Sequence, residues 1–299
     1  MSVEIMRSPG TLTIHGRNLP EVWERSIEEC VVWGDFFETE YDKANDVKSA
    51  DCFTTLIIDD PMAEPRIHRG FPGGLEDLEI YTQEMVYGVH DNWTKENGGG
   101  WSYTYHDRLR NYLIDSMLPP VDQIENVIKT LAETPHSRRA QAVTWRCWED
   151  QTDEEPPCLQ RFHFRILEDE LRMNTHIRSN DAFKAAFMNM YAFTAFQDMV
   201  AKEISKRVGK TIKTGRYVHV ADSYHLYGSY MEEIEGFLRF IKKSPWENRV
   251  YHTPDVQYFL DSGKIILINS SQCSIATLDK DRLRLYNELS VERQKEVIL

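Results

Sequence analysis

Residues 156–189 read PPCLQRFHFRILEDELRMNTHIRSNDAFKAAFMN, and this stretch decides the architecture. Two strand-like runs, Gln160–Glu168 and Glu170–Arg178, flank Asp169. Phe162, Phe164 and Ile166 alternate on one side, and that period of two predicts an antiparallel hairpin. Asp181 occupies an N-cap position ahead of an apolar-periodic segment that predicts a helix to about Val208. A thiol (Cys158), a guanidinium (Arg178), a hydroxyl (Ser179) and a carboxylate (Asp181) therefore collect at strand ends and a helix start. Backbone donors and fixed side chains converge in such places.

Outward from the hairpin, residues 11–17 predict a short strand, and Asn18 with Pro20 starts a helix over Glu21–Trp33. Residues 35–51 are acidic and predict a surface loop, followed by a β-rich run at Cys52–Ile58. The Pro/Gly-rich segment after it is a loop, and Leu75–His90 and Val121–Glu133 predict helices. Trp101–Tyr105, Gln141–Trp148, Gly215–Ser223 and Lys264–Ser270 predict strands; Tyr230–Lys242 and the charged tail from Asp279 predict helices. No repeat, low-complexity tract or linker divides the chain. The expectation is one α+β domain over 1–299, with helices packed on a mixed β-sheet.

Composition narrows the function classes. The 299 residues are 41% hydrophobic and 28% charged, ordinary for a globular protein with a full core. A net charge of −13 argues against nucleic acid and anionic membrane as partners, while leaving room for a local basic pocket. No apolar run approaches the roughly 20 residues of a membrane span, and the first ten residues do not read as a signal peptide. Cys30, Cys52, Cys147, Cys158 and Cys273 are widely spaced and form no CxxC. Neither a disulfide framework nor a metal site is expected, and a reducing cytoplasm is the natural setting.

Each candidate residue has a bland reading beside a chemical one. A lone cysteine such as Cys158 is more often buried and inert; as a nucleophile it needs cations nearby, which Arg138, Arg139 and Arg178 offer. The Ser137-Arg138-Arg139 run is either a solvated turn or a phosphate clamp, with Ser179 a further donor beside Arg178. In Asp222–Gly228, His225 and Tyr227 alternate, so an extended chain puts both on one side, suited to a sugar hydroxyl. Asn189 lies on an apolar helix, where a carboxamide must find partners and can read the edge of a pyrimidine. Glu84 is either a surface glutamate or an acid/base carboxylate.

Taken in order, the SRR run, PPC, RSxD, an asparagine eight residues past the aspartate, and HxY resemble the thymidylate synthase and pyrimidine hydroxymethylase superfamily, firmly over 138–228 and loosely around Glu84. The resemblance implies that fold, a homodimer with its sheets back to back, and one-carbon transfer from 5,10-methylenetetrahydrofolate to C5 of a pyrimidine nucleotide. By resemblance Cys158 is the nucleophile that adds to C6. Arg178 and Ser179 bind phosphate, and Arg138 and Arg139 reach the phosphate of the neighbouring subunit. Asn189 reads the base, His225 and Tyr227 hold the sugar 3′-hydroxyl, and Asp181 bonds the pterin. Glu84 organises water and proton transfer, and Tyr105 matches the tyrosine that helps remove the C5 proton.

The departures from the family pattern bear on the product. Leu159 stands where synthases place histidine, Ala185 where a pterin-side glycine is expected, and Phe187 where proline is. Of two folate-wall tryptophans, Trp93 matches the second and His90 falls at the first. The N-terminal phosphate loop is reduced to Arg7, and the chain ends in Val-Ile-Leu. A dry indole beside the exocyclic carbon favours hydride and hence methyl, whereas an imidazole admits and orients water. The expectation is a hydroxymethylase, with a divergent thymidylate synthase as the alternative. The phage deoxycytidylate enzymes carry Asp where Asn189 stands, which tilts the base toward uracil. A non-catalytic RNA-binding relative and a Cys158/His225 hydrolase are weaker readings: the first conflicts with the acidic charge, the second lacks a marked third residue.

Overall fold

The computed structural model describes residues 4–39, 47–115, 117–270, 275 and 278–298. In chain order these form β1 (Glu4–Ser8), β2 (Thr11–Gly16), α1 (Leu19–Trp33), β3 (Asp35–Phe37), β4 (Ser49–Ile58), β5 (Ile67–His68), α2 (Leu75–Tyr87), α3 (Tyr105–Arg110), α4 (Gln123–Glu133) and β6 (Gln141–Val143). There follow β7 (Leu159–Leu167), β8 (Glu170–Ile177), β9 (Asn180–Asp181), α5 (Ala186–Val208), β10 (Lys213–Leu226), α6 (Met231–Lys243), β11 (Val250–Tyr251), α7 (Gln257–Asn269), α8 (Lys280–Glu288) and α9 (Val291–Gln294). The main sheet runs β1-β2-β4-β10-β8-β7-β6, with β3 on the end of β4 and β9 on the end of β10. It is mixed: β2/β4, β8/β10 and β9/β10 are parallel, the other pairs antiparallel. No helix of the described residues is long and apolar enough to cross a membrane.

The predicted hairpin is present. Glu168 and Asp169, with φ of 54° and 61°, form its two-residue turn, the left-handed geometry that matches the twist of paired strands. Phe162, Phe164, Leu171 and Met173 are buried on the helix side, while Arg161 and Asn174 are exposed on the other. Helix α5 packs on that side and is apolar and mostly buried from Ala186 to Phe196, while Lys202, Lys206 and Arg207 near its C-terminus are exposed. Phe193 packs edge-on against Phe162 at 5.2 Å and against Tyr105 at 5.9 Å. Gln197 is the buried polar exception: its Nε2 donates to Leu171 O (2.7 Å) and Gly215 O (2.9 Å), next to the place where the β8–β10 register shifts.

Five local expectations need correction. Lys264–Ser270 lies mostly in α7, not a strand: Leu260, Gly263, Leu267 and Ile268 are buried at helical spacing, which a short apolar run does not distinguish from alternation. Trp101–Tyr105 is not a strand, because Thr104 caps α3 by accepting from Asp107 N (3.0 Å). The strand predicted over 141–148 stops at Val143, as Arg146 N turns away to bond Asp150. Part of the loop predicted over 35–51 is β3 and the start of β4; residues 40–46, Cys273 and Leu299 lie outside the described residues. Asp181 does not cap α5, whose N-cap is Ala185; its Oδ1 instead accepts from Phe183 N (2.9 Å) and Lys184 N (2.8 Å), capping the turn before the helix.

The far face of the sheet has no helix on it among the described residues. It presents Phe53, Thr55 and Ile57 beside Val218 and Val220, in register across β4 and β10. The two faces predict different responses to truncation. Phe162→Ala should lower unfolding free energy by about 3–5 kcal/mol, whereas Arg161→Ala beside it should stay within about 0.5 kcal/mol. Urea midpoints of the two variants check this.

Candidate functional site

Strand pairing assembles the site. At its C-terminal end β10 leaves β8 and pairs with β9, which sets Tyr224 against Asn180 and His225 against Asp181. On its other edge β4 sets Asp51 against His225. The RSND segment, His225 and Asp51 are therefore neighbours by register. His225 and Tyr227 meet with ring centroids 4.7 Å apart, as their alternation predicts. His225 Nδ1 pairs with Ser223 Oγ at 3.1 Å, while Nε2 is buried without a partner, as is Asp51 Oδ1. Burial holds the imidazole below its ordinary pKa against the pull of Asp181 and Asp51.

Cys158 begins the hairpin. Its carbonyl accepts from Arg178 N at 2.9 Å, and the Arg178 guanidinium donates through Nε to Pro157 O (3.1 Å) and Nη2 to Pro156 O (2.7 Å). Arg178 thus pins the two prolines that present the thiol. Burial raises the thiol pKa, with Arg178 the charge that opposes it. Ser179 lies beside this clamp and makes no side-chain hydrogen bond among the described residues.

Two tyrosines flank the thiol. Tyr105 is half-buried, and its hydroxyl accepts from Leu159 N at 3.3 Å. Tyr103, 5.5 Å from it between ring centroids, is pushed up to about 12 by burial and then by Cys158, from which it also takes a backbone hydrogen bond. Nothing in the spacing marked Tyr103; it lies two residues before the tyrosine that the motif suggested. Both phenols line a cavity of about 400 Å³ with Tyr81, Glu84, Trp101 and Ser102. Asn189, 8% exposed on the first turns of α5, accepts at Oδ1 from the Tyr81 hydroxyl at 2.7 Å.

The wall around Glu84 is aromatic. His90 Nδ1–H donates to Glu84 Oε2 at 3.0 Å, and its ring stacks on Trp93 at 3.8 Å. The imidazole is buried, so it faces Glu84 rather than open solvent. Trp101, which the motifs did not single out, meets Trp93 edge-on at 5.0 Å. Trp93 and Trp101 remain 39% and 42% exposed, and their free faces suit a flat heterocycle. Asp181, a half-buried carboxylate whose pKa is raised by burial, suits the amino and ring N–H groups of a pterin. Ala185 N donates to the Asp181 carbonyl at 3.2 Å, but Phe187 is in the core against Trp23 and Phe71, both at 5.2 Å.

Three arginines lie apart from the cavity. Arg138 and Arg139 are exposed and make no ion pair among the described residues; the Arg138 carbonyl accepts from His163, on the open face of the sheet. Arg7 is paired with Glu29 at 2.8 Å and lies over Trp33.

Comparison with known proteins follows this geometry. The family model described as "Thymidylate synthase" matches residues 74–250. A protein of Methanosarcina acetivorans named "Putative thymidylate synthase" is 30% identical over 76% of this chain and 95% of its own. A protein of the same name from Methanocaldococcus jannaschii is 29% identical over 72% and 90%. Thermostable thymidylate synthase A from Bacillus subtilis superposes with a TM-score of 0.57 at 16% identity, covering 74% of this chain and 84% of that one, a likeness of fold.

The electrostatics of the thiol are testable. In a Cys147→Ser background, Arg178→Ala removes the cation that opposes burial, so the Cys158 pKa should rise further. The pH profile of Cys158 alkylation by iodoacetamide, read by peptide mass, should move to higher pH; an unmoved profile contradicts the assignment.

Proposed function

Because the chain belongs to the thymidylate synthase family, whose model covers more than half of it, we propose that it transfers one carbon to C5 of a pyrimidine nucleoside monophosphate and releases the 5-hydroxymethyl nucleotide. Cys158 is the nucleophile. Its thiolate adds to C6, and the electron pair released to C5 attacks the carbon that 5,10-methylenetetrahydrofolate supplies at the oxidation level of formaldehyde. The C5 proton then leaves toward the polar side of the cavity, where Glu84, Tyr103 and Tyr105 stand; the electron pair it leaves behind breaks the bond between the transferred carbon and the folate nitrogen, so that tetrahydrofolate departs and an exocyclic methylene remains on C5. Water then adds its oxygen to the exocyclic carbon of the nucleotide and gives up a proton, and the Sγ–C6 bond breaks to restore the thiolate and the aromatic ring.

The observation that carries the hydroxymethyl reading is the Glu84–His90 pair. The carboxylate can only accept, so Nδ1 carries the hydrogen of this contact. One Glu84 oxygen is thereby fixed while the side chain remains on the cavity wall, an arrangement suited to holding a water for attack. His90 acts through Glu84 rather than by touching the water itself. A second reading, methyl transfer with hydride from the folate, is favoured by Trp101, which returns an indole to this wall from another position in the chain.

The remaining assignments complete the reading. Arg178 and Ser179 take the nucleotide phosphate, His225 and Tyr227 the sugar hydroxyl, Asn189 the base, and Asp181 with Ala185, Trp93 and His90 the folate. Two copies pack their open sheet faces together, and Arg138 and Arg139 complete the partner's phosphate site. No metal is required, and the cytoplasm supplies both substrates.

Cys158→Ala should abolish turnover, and survival of activity would falsify the mechanism. With methylenetetrahydrofolate and each of UMP, dUMP, CMP and dCMP, a mass-resolved assay should find a product 30 Da heavier than its substrate. A gain of 14 Da with dihydrofolate selects the methyl reading instead, and His90→Trp should move product in that direction. Val220→Arg, on the open face, should give a folded monomer by light scattering whose turnover falls at least a hundredfold. A fully active monomer rules out a shared site.

A further inference from the structure

Asn189 alone does not choose between uracil and cytosine. Its carboxamide has an acceptor end and a donor end, and rotating it by half a turn exchanges the two edges it can read. Uracil offers N3–H and O4, a donor beside an acceptor; cytosine offers N3 and the 4-amino group, an acceptor beside a donor. A site that discriminates must hold the amide one way round. We infer that Tyr81 is the positioning residue that does so, by donating its hydroxyl to Asn189 Oδ1 at 2.7 Å and thereby setting which base edge the amide reads.

Three observations support the lock. Asn189 is the only hydrogen-bond partner of the Tyr81 hydroxyl among the described residues. If the phenol accepted from Nδ2 instead, its own hydrogen would lose its one acceptor among the described residues and turn toward the half-buried cavity that Tyr81 lines. The hydroxyl also keeps its proton: burial raises Tyr81 well above the ordinary tyrosine range, and Glu84, Tyr103 and Cys158 add to the shift. Those same neighbours place Tyr81 among the reacting groups, and it lines the cavity with Glu84 and Tyr103. Finally, both partners sit on packed helices, α2 and α5, so the contact is held by core packing rather than by a loop.

This inference rests on the pyrimidine-nucleotide reading above, and its test separates the two. Binding of dUMP and dCMP is measured by calorimetry for the unaltered protein, Tyr81→Phe, Asn189→Ala and the double variant. The unaltered protein should prefer one base. Tyr81→Phe should compress the ratio of dissociation constants at least fivefold toward parity, because the amide is then free to turn. In the Asn189→Ala background Tyr81→Phe should leave the ratio unchanged, the signature of an effect that passes through Asn189. Tyr81→Met, which also lacks the hydroxyl while filling the ring's space, serves if the phenylalanine variant does not fold. Equal weakening of both nucleotides by Tyr81→Phe, a ratio shift that persists without Asn189, or equal binding of both bases by the unaltered protein overturns the lock and leaves the nucleotide reading standing. Binding of none of dUMP, dCMP, UMP and CMP, the ribonucleotides being titrated in the same way, overturns both.

Discussion

Strand β10 has to satisfy two neighbours at once, and the site is a consequence of that constraint. It runs parallel to β8 and antiparallel to β4, so each residue from Tyr217 to Ala221 has a fixed partner on both sides. After Ala221 the register with β4 shifts, β8 ends, and the two residues of β9 take its place. A bulge of this kind re-aims the side chains beyond it. Asp181 on one side and Asp51 on the other then close on His225, and Arg178 is carried to the mouth of the hairpin that presents Cys158. Gln197 secures the opposite end of the same pairing by bonding carbonyls of both Leu171 and Gly215.

The energetic tension in the site lies at the thiol. Burial disfavours the thiolate, and the chain supplies one opposing charge, Arg178, two of whose donors are engaged by the carbonyls of Pro156 and Pro157. That arrangement makes Arg178 as much a structural strut as a ligand: it fixes the backbone that aims Sγ. A thiol so placed is held protonated more strongly than a free cysteine. The surrounding phenols do not relieve it, since burial drives Tyr81, Tyr103 and Tyr105 upward as well. In the proposed reaction its activation therefore depends on what the substrates bring, and a thiol quiet until they arrive is also one protected from adventitious oxidation.

Much of this was legible in the sequence, and the parts that were not share a cause. The hairpin, the buried helix and the HxY alternation are patterns with a period, so Phe162, Asn189, His225 and Tyr227 could be placed by counting. Asp181 was correctly drawn to a cap, but the cap belongs to the turn before α5, because one Asx side chain satisfies the N–H groups two and three residues on wherever the helix proper begins. Tyr81, Tyr103, Trp101 and Asp51 carry no local signal. Each matters through a contact with a residue remote in sequence, as Tyr81 does with Asn189, 108 positions away. The misread α7 shows the same limit in another form: four buried positions fit a helix only once the facing helix is known, and Gly263 is there because α7 comes close to α2, where a Cβ would lie 2.6 Å from the Glu76 carbonyl oxygen.

The wall around Glu84 illustrates how such remote contacts alter the chemistry a motif implies. By spacing, His90 stands where an indole is expected, which by itself opens the wall to water. In three dimensions the imidazole is stacked behind Trp93 and bonded to Glu84, while Trp101 restores aromatic surface at the cavity. The exchange of residue types is therefore felt through the carboxylate: what His90 changes is the orientation and hydrogen bonding of Glu84, not the bulk of the wall. In the proposed reaction the balance between water and hydride turns on whether a water held by Glu84 reaches the exocyclic carbon before a folate stacked against Trp93 and Trp101 delivers its hydrogen. The same carboxylate sits beside the phenol that orients Asn189, since Tyr81 and Glu84 share one cavity. On the proposed reading the choice of base and the choice of product fall to neighbouring residues on α2, and a substitution aimed at one is expected to disturb the other.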